Sequence, residues 1–184
     1  EAILFFEEGI GIVVNSGNSS SNRGSLRAKN VSFVSVDSIT TWSGISFGSY
    51  TDADSSYLNG CTISNANEGI HLYNTSPQII NNTFVNNGYA IYRESNANPL
   101  IAGNSFIENS TPIYISEPTY LDSTIYGNTY IDNENQYIFL NGDNIGYDEN
   151  QSSTRTWTAD NAPYYINDNL FVKANNSAEY LSIL

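Results

Sequence analysis

Methionine is absent from this 184-residue chain, cysteine and histidine occur once each, and only six residues are lysine or arginine. Each scarcity removes a class of explanation. One cysteine, Cys61, rules out an intrachain disulfide framework. One histidine, His71, without methionine or a second cysteine makes no credible copper or zinc site. Six cations against 19 acids leave a net charge of −13. A surface so poor in cations argues against nucleic acid, whose phosphates need them, and against anionic membrane surfaces. Divalent cations, cationic partners or high-salt solubility are the compatible readings. No apolar run approaches the ~18 residues of a transmembrane helix, so no membrane insertion is expected. No signal peptide is visible. The chain opens on Glu1 rather than Met, which reads as a mature, excerpted or trimmed product.

What is abundant repeats. Cys61-Thr62-Ile63-Ser64-Asn65 aligns with Asn82-Thr83-Phe84-Val85-Asn86, Asn104-Ser105-Phe106-Ile107-Glu108 and Asn128-Thr129-Tyr130-Ile131-Asp132. A second series, centred on Ile70, Ile91, Ile113 and Ile138, keeps the same spacing. Short apolar motifs recurring about every 22 residues, separated by Asn, Gly and Ser, mark a solenoid. No segment shows a capped amphipathic helix, so the expected class is all-β. Asn65, Asn86-Asn87, Asn109 and Asn133 close successive coils, because Asn tolerates left-handed backbone angles and its amide bonds to neighbouring peptide groups. Stacked, such amides are expected to form ladders. Cys61 stands where later coils have Asn and reads as a small buried filler. Pro77 and Pro99 each precede a short apolar run, a place where a strand tolerates proline.

The whole chain, 1–184, is expected to be one such domain. Residues 1–56 would be entry coils with loop insertions, including a polar loop over 15–24. Residues 57–140 would be regular coils and 141–156 a loop. Residues 157–184 would be strands that begin the next repeat or protomer.

The stretch Pro77-Gln78-Ile79-Ile80-Asn81-Asn82-Thr83-Phe84-Val85-Asn86-Asn87-Gly88-Tyr89-Ala90-Ile91 resembles the repeat unit of right-handed parallel β-helix proteins. These belong to the pectate-lyase-like superfamily, and the unit is typical of tandem β-helix repeat surface proteins of bacteria and archaea. The resemblance covers most of the chain. It implies a right-handed parallel β-helix, here of about seven or eight coils at roughly 22 residues each. It is specific for fold and weak for function, because enzymes, adhesins and structural repeats share it. Such domains often open on a Trp-Thr, Pro-Tyr entry followed by a Glu-Glu-Gly turn. Here Glu7-Glu8-Gly9 lies near the start, and Trp157-Thr158 and Pro163-Tyr164 near the end. Joining Leu184 to Glu1 regenerates the family order. The expectation is one period of a tandem array, or a protomer completing its neighbour's end. Ile3, Phe5, Leu181 and Ile183 would then form the assembly interface. Partners would be the protein itself, head to tail, or adjoining repeats.

Candidate chemistry is sparse, and no catalytic residue is assigned. A lyase of this fold would need an acidic Ca²⁺ cluster with a basic residue; Arg93 beside Glu94 lacks the cluster and reads as a salt-bridged or solvated surface arginine. Glu108 and Asp132 each lie two residues after a stacked aromatic position, which puts two carboxylates about one coil spacing, ~4.8 Å, apart. With Asp143 and Asp148 they are the weak Ca²⁺ candidates, and a plain polar ladder is the alternative. Glu134 could share that face. Asp52, Asp54 and Glu149 are loop carboxylates without the ligand order of an EF-hand. His71 alternates with Ile70 and Leu72 and should point outward. Asn18 and Asn150 are the most accessible of the N-x-S/T sequons. Tyr73, Tyr92 and Tyr114 could form a strip for glycans, with cross-coil packing as the alternative. The expected role is that of an extracellular or cell-surface structural module, in a filament, sheath or adhesin stalk. Carbohydrate binding or cleavage is the runner-up.

Overall fold

A computed structural model of the chain describes residues 2–14, 23–145, 154–158, 160–172 and 180–183. The chain winds about six turns of an all-parallel β-solenoid. That is fewer than the seven or eight coils expected from length alone. The reason lies in the spacing: equivalent asparagines Asn82 and Asn104 are 22 residues apart, but Asn128 and the next equivalent residue, Asp160, are 32 apart. Insertions lengthen the later turns, so length overcounts them.

Each turn has three sides. The first is a six-stranded sheet from Ala2–Phe6 to Thr129–Ile131. The second is a seven-stranded sheet from Gly11–Val14 to Tyr164–Ile166, and the third is a five-stranded sheet from Arg27–Lys29 to Ile125–Tyr126. Two pairs, Asn144–Ile145 with Phe171–Val172 and Thr154–Trp157 with Tyr180–Ile183, extend the stack and fall partly within the expected loop over 141–156. Among the described residues, the sole helical element is the 3₁₀ turn Pro118–Tyr120.

Inward columns run straight through these sheets, as the two repeat series predict. Leu4, Phe33, Ile63, Phe84, Phe106 and Tyr130 align on the first side. On the second, Ile12, Ile45, Ile70, Ile91, Ile113, Ile138 and Tyr164 align. Leu58, Ile79, Ile101 and Ile125 fill the third. A single strand could not bury these side chains; each coil covers the one below.

The turns explain the polar residues. At the corner entering the first side, the Asn82 amide carbonyl accepts from the Cys61 backbone N–H at 2.9 Å. Asn104 accepts from Asn82, and Asn128 from Asn104, in the same way. Each amide NH₂ donates to the carboxamide oxygen above and to a backbone carbonyl: Leu58 O for Asn82, Ile79 O for Asn104. Ala66, Asn87, Asn109 and Asn133 form a second ladder at the next corner. Every asparagine rung is buried, and its side-chain amide bonds to the neighbouring coil. Cys61 and Ala66 are the small, buried residues that start the ladders.

Before each rung the backbone turns left-handed. At one corner the column reads Asn30, Gly60, Asn81, Gly103, Gly127, all at positive φ. Gly60 and Gly103 sit over the Asn30 and Asn81 amides, where a Cβ would come within 2.5 and 2.6 Å of Oδ1. At this corner glycine leaves room for the asparagine amide below it.

Candidate functional site

The outer face of the second side carries one continuous aromatic stripe. His71, Tyr92, Tyr114, Phe139 and Tyr165 occupy a single outward column. Tyr92 and Tyr114 stack at 5.0 Å with planes 10° apart, and Tyr114 and Phe139 at 4.8 Å and 15°. Tyr89 packs edge-on against Tyr92 and Tyr114, and Tyr137 stacks on Tyr165. Partial burial raises the phenol pKa values of Tyr92 and Tyr114. The expected strip of Tyr73, Tyr92 and Tyr114 is therefore right for two residues and incomplete. Tyr73 lies opposite Glu94 at a strand end, outside the stripe. Phe139, Tyr165, Tyr89 and Tyr137 were legible as outward positions in the repeat and were overlooked. Stacked in this way, the ring faces turn toward one another along the solenoid axis and leave edges to solvent. Sugars stack on faces.

At the lower end of the stripe His71 faces outward, as expected, but is not isolated. Its Nδ1 lies 3.1 Å from Glu68 Oε2 and its Nε2 3.0 Å from Glu94 Oε2. The Glu68 hydrogen bond raises the imidazole pKa above its ordinary value, desolvation opposes it, and Glu94 adds to the rise. The cluster clamps two coils together.

Arg93 overturns its sequence reading. It is neither solvated nor, among the described residues, in a salt bridge. It points inward between Leu72 and Ile115 in a core column and is 1% exposed. Its Nε donates to Ala97 O and one terminal nitrogen to Glu117 O at 3.0 Å, while Nη2 has no partner. Burial lowers its pKa to about 9. The strict alternation Ile91 in, Tyr92 out, Arg93 in was the signal for this placement.

Glu108 and Asp132 fall where expected, in successive left-handed turn positions above Asn65 and Asn86, and both are exposed. Asn86 donates to Asn65 at 2.6 Å in that column. Among the described residues no group of three His, Cys, Asp or Glu side chains converges as a metal site. Asp143 uses its carboxylate on the backbone and amide of Asn144. Asp148, Asn18 and Asn150 lie outside the described residues.

The two ends differ from the lateral faces. At one end Ile3, Phe5 and Val13 are 57%, 64% and 63% exposed, and inward Leu4 is 40% exposed. At the other, Ile183 is 72% exposed, and Ile166, Phe171 and Val172 are also uncovered. Of the four expected interface residues, Ile3, Phe5 and Ile183 are exposed; Leu181 is partly buried against the core. At this second end lies a feature the sequence did not reveal. Asp160 takes the rung above Asn128: its Oδ1 accepts the Asn128 N–H at 3.2 Å, and its Oδ2 accepts the Asn128 amide at 2.9 Å and the Tyr130 hydroxyl at 2.8 Å. Burial, then the Asp160 charge, raises the Tyr130 pKa. From Asp160 the chain reaches Tyr164 through Asn161, Ala162 and Pro163 alone, where the coil below uses residues 129–137. The corner is cut, and a cleft of about 400 Å³ opens over it, lined by Trp157, Asp160, Ala162, Pro163, Tyr164 and Ile183.

Residues 10–177 match the family described as right handed beta helix region. The chain belongs to this family, a class of parallel β-helix repeat proteins. Comparison with curated proteins and with solved structures finds no match.

Proposed function

We propose that this protein is a structural β-helix module of an extracellular or cell-surface assembly, stacked end to end with itself or with adjoining repeats. The observation that carries this reading is the contrast in cover. Every interior strand of the three main sheets is paired on both edges, whereas the strands at the two ends expose apolar residues and unpaired edges. Open edges of this kind template further pairing. The stripe of stacked rings supports a cross-coil packing role in the same shaft, since carbohydrate binding would need free ring faces.

Sedimentation velocity over a range of concentrations tests the reading. Association should grow with concentration and strengthen as salt rises, because each copy carries a net charge of −13 and salt screens the repulsion. Replacing Ile183 by Lys should abolish assembly and leave the far-UV spectrum of the shaft intact. A strictly monomeric species at millimolar concentration and high salt would overturn the proposal. Electron microscopy of the assemblies should show unbranched rods.

A further inference from the structure

Resting on the end-to-end reading, we infer that the cleft over Asp160 is the open mouth of the solenoid bore, and that the strand Ala2–Phe6 of a second copy closes it. The order of sides fixes the joint. Each turn runs first side, second side, third side. Thr154–Trp157 continues the third side, where Trp157 Nε1 donates to Leu121 O at 3.2 Å; Tyr180–Ile183 pairs with it, and Trp157 and Ile183 both line the cleft. The segment 160–163 forms its floor and Tyr164 the adjoining wall. Among the described residues no first-side strand lies above Thr129–Ile131 to form the remaining wall. Ala2–Phe6 is a first-side strand, and its inward residues are Leu4 and Phe6. Phe6 stacks on Trp42 at 4.3 Å and on Phe33 at 6.5 Å and is only partly buried.

The second side then sets the register. The sheet shifts register once, between Gly44 and Ile45, but the columns that begin at Ile12, Val13 and Val14 run unbroken beyond it, so the residues that begin and end each of them meet across the joint. Ile12 begins the inward column that Tyr164 ends. Val13 begins the outward column that runs through Ser46 and His71 to Tyr165, and Val14 begins the column that Ile166 ends. The joint therefore pairs Tyr164 with Ile12, Tyr165 with Val13 and Ile166 with Val14. The last ring of the aromatic stripe caps the exposed Val13. A slip of one residue would turn every side chain to the wrong face. The charges agree with the fit. In a chain of net charge −13, the strands Ala2–Phe6, Gly11–Val14, Tyr164–Ile166 and Tyr180–Ile183 contain no charged residue. The strands that would meet are themselves uncharged, and the cleft's carboxylate, Asp160, is engaged by Asn128 and Tyr130.

Disulfide trapping tests the register. In a Cys61→Ser background, Val13→Cys with Tyr165→Cys places two outward, exposed thiols opposite each other at a paired-strand distance that a disulfide spans. These positions lie at opposite ends of one molecule, so only intermolecular bonds can form. The expected result is a ladder of covalent oligomers on a non-reducing gel, with a far-UV spectrum like that of the unmodified protein. The slipped pair Val13→Cys with Asn167→Cys should give at least tenfold less. Separately, Leu4→Glu should weaken association about tenfold or more by setting a charge in the cleft. Trapping by the slipped pair, or assembly that neither pair traps, overturns this joint while the end-to-end reading stands. A monomer in all variants and in the parent overturns both.

Discussion

Asn104 and Asp160 are rungs of one ladder, yet they belong to regions built on opposite principles. Asn104 receives hydrogen bonds from the coil below and donates to the coil above, as each middle rung does. Asp160 only receives. A carboxamide carries both donor and acceptor, so it propagates; a carboxylate is acceptor-only and terminates. The same contrast runs through the surrounding residues. In the middle coils the aromatic and aliphatic columns are covered above and below. Over Asp160 the first side is cut short, and Trp157 and Tyr164 border a cleft. The middle coils are covered on both edges, whereas the last described coil leaves Trp157 and Tyr164 bordering an open cleft.

This contrast can be broken most severely at its centre. Asn104→Ala removes an amide that serves both neighbouring coils and leaves buried groups of Asn82 and Ile79 unpaired. A loss of about 3–5 kcal/mol is expected in urea unfolding, from several orphaned groups at about 1–3 kcal/mol each with partial relaxation. Asp160→Ala strikes the equivalent position beside the cleft, with a coil on one side only, and should cost about 1–3 kcal/mol. If Asp160→Asn unfolds at the same urea concentration as the parent, the carboxylate is not what ends the ladder. Tyr114→Leu keeps an apolar side chain but removes two stacked contacts, at Tyr92 and Phe139. It should cost about 1 kcal/mol, and an equal cost for Tyr165→Leu would show that the stripe gains nothing from having rings on both sides.

The smallest effect is at His71. Its folded pKa is raised above the unfolded value, so its contribution is full below about pH 6.5 and is lost as pH rises through the folded pKa. Because the side chain is partly solvated, its size should be about 1 kcal/mol or less. The parent should therefore lose a little thermal stability relative to His71→Gln as pH rises from mildly acidic to alkaline. A pH-independent difference between the two would mean that the imidazole packs without clamping Glu68 and Glu94.

How much of this was written in the residues varies with how local the cause is. The ladders were readable because each coil repeats the same Asn, and the left-handed turns because Asn and Gly tolerate them. Arg93 was misread because a charged side chain suggested a surface, and the period-two alternation that places it inside was not given precedence. The breadth of the aromatic stripe was missed for a related reason: Tyr73 was chosen by residue type, Phe139 and Tyr165 passed over by position.

By itself, the sequence determined the parallel β-helix, the columns and the rungs, since a repeat in one dimension becomes a stack in three whenever each coil must cover the last. Tertiary structure alone decided the cut corner at Asp160, the cleft above it and the facing of the rings. Those depend on where the chain departs from its own period, and a departure has no template in the repeat from which its geometry could be inferred.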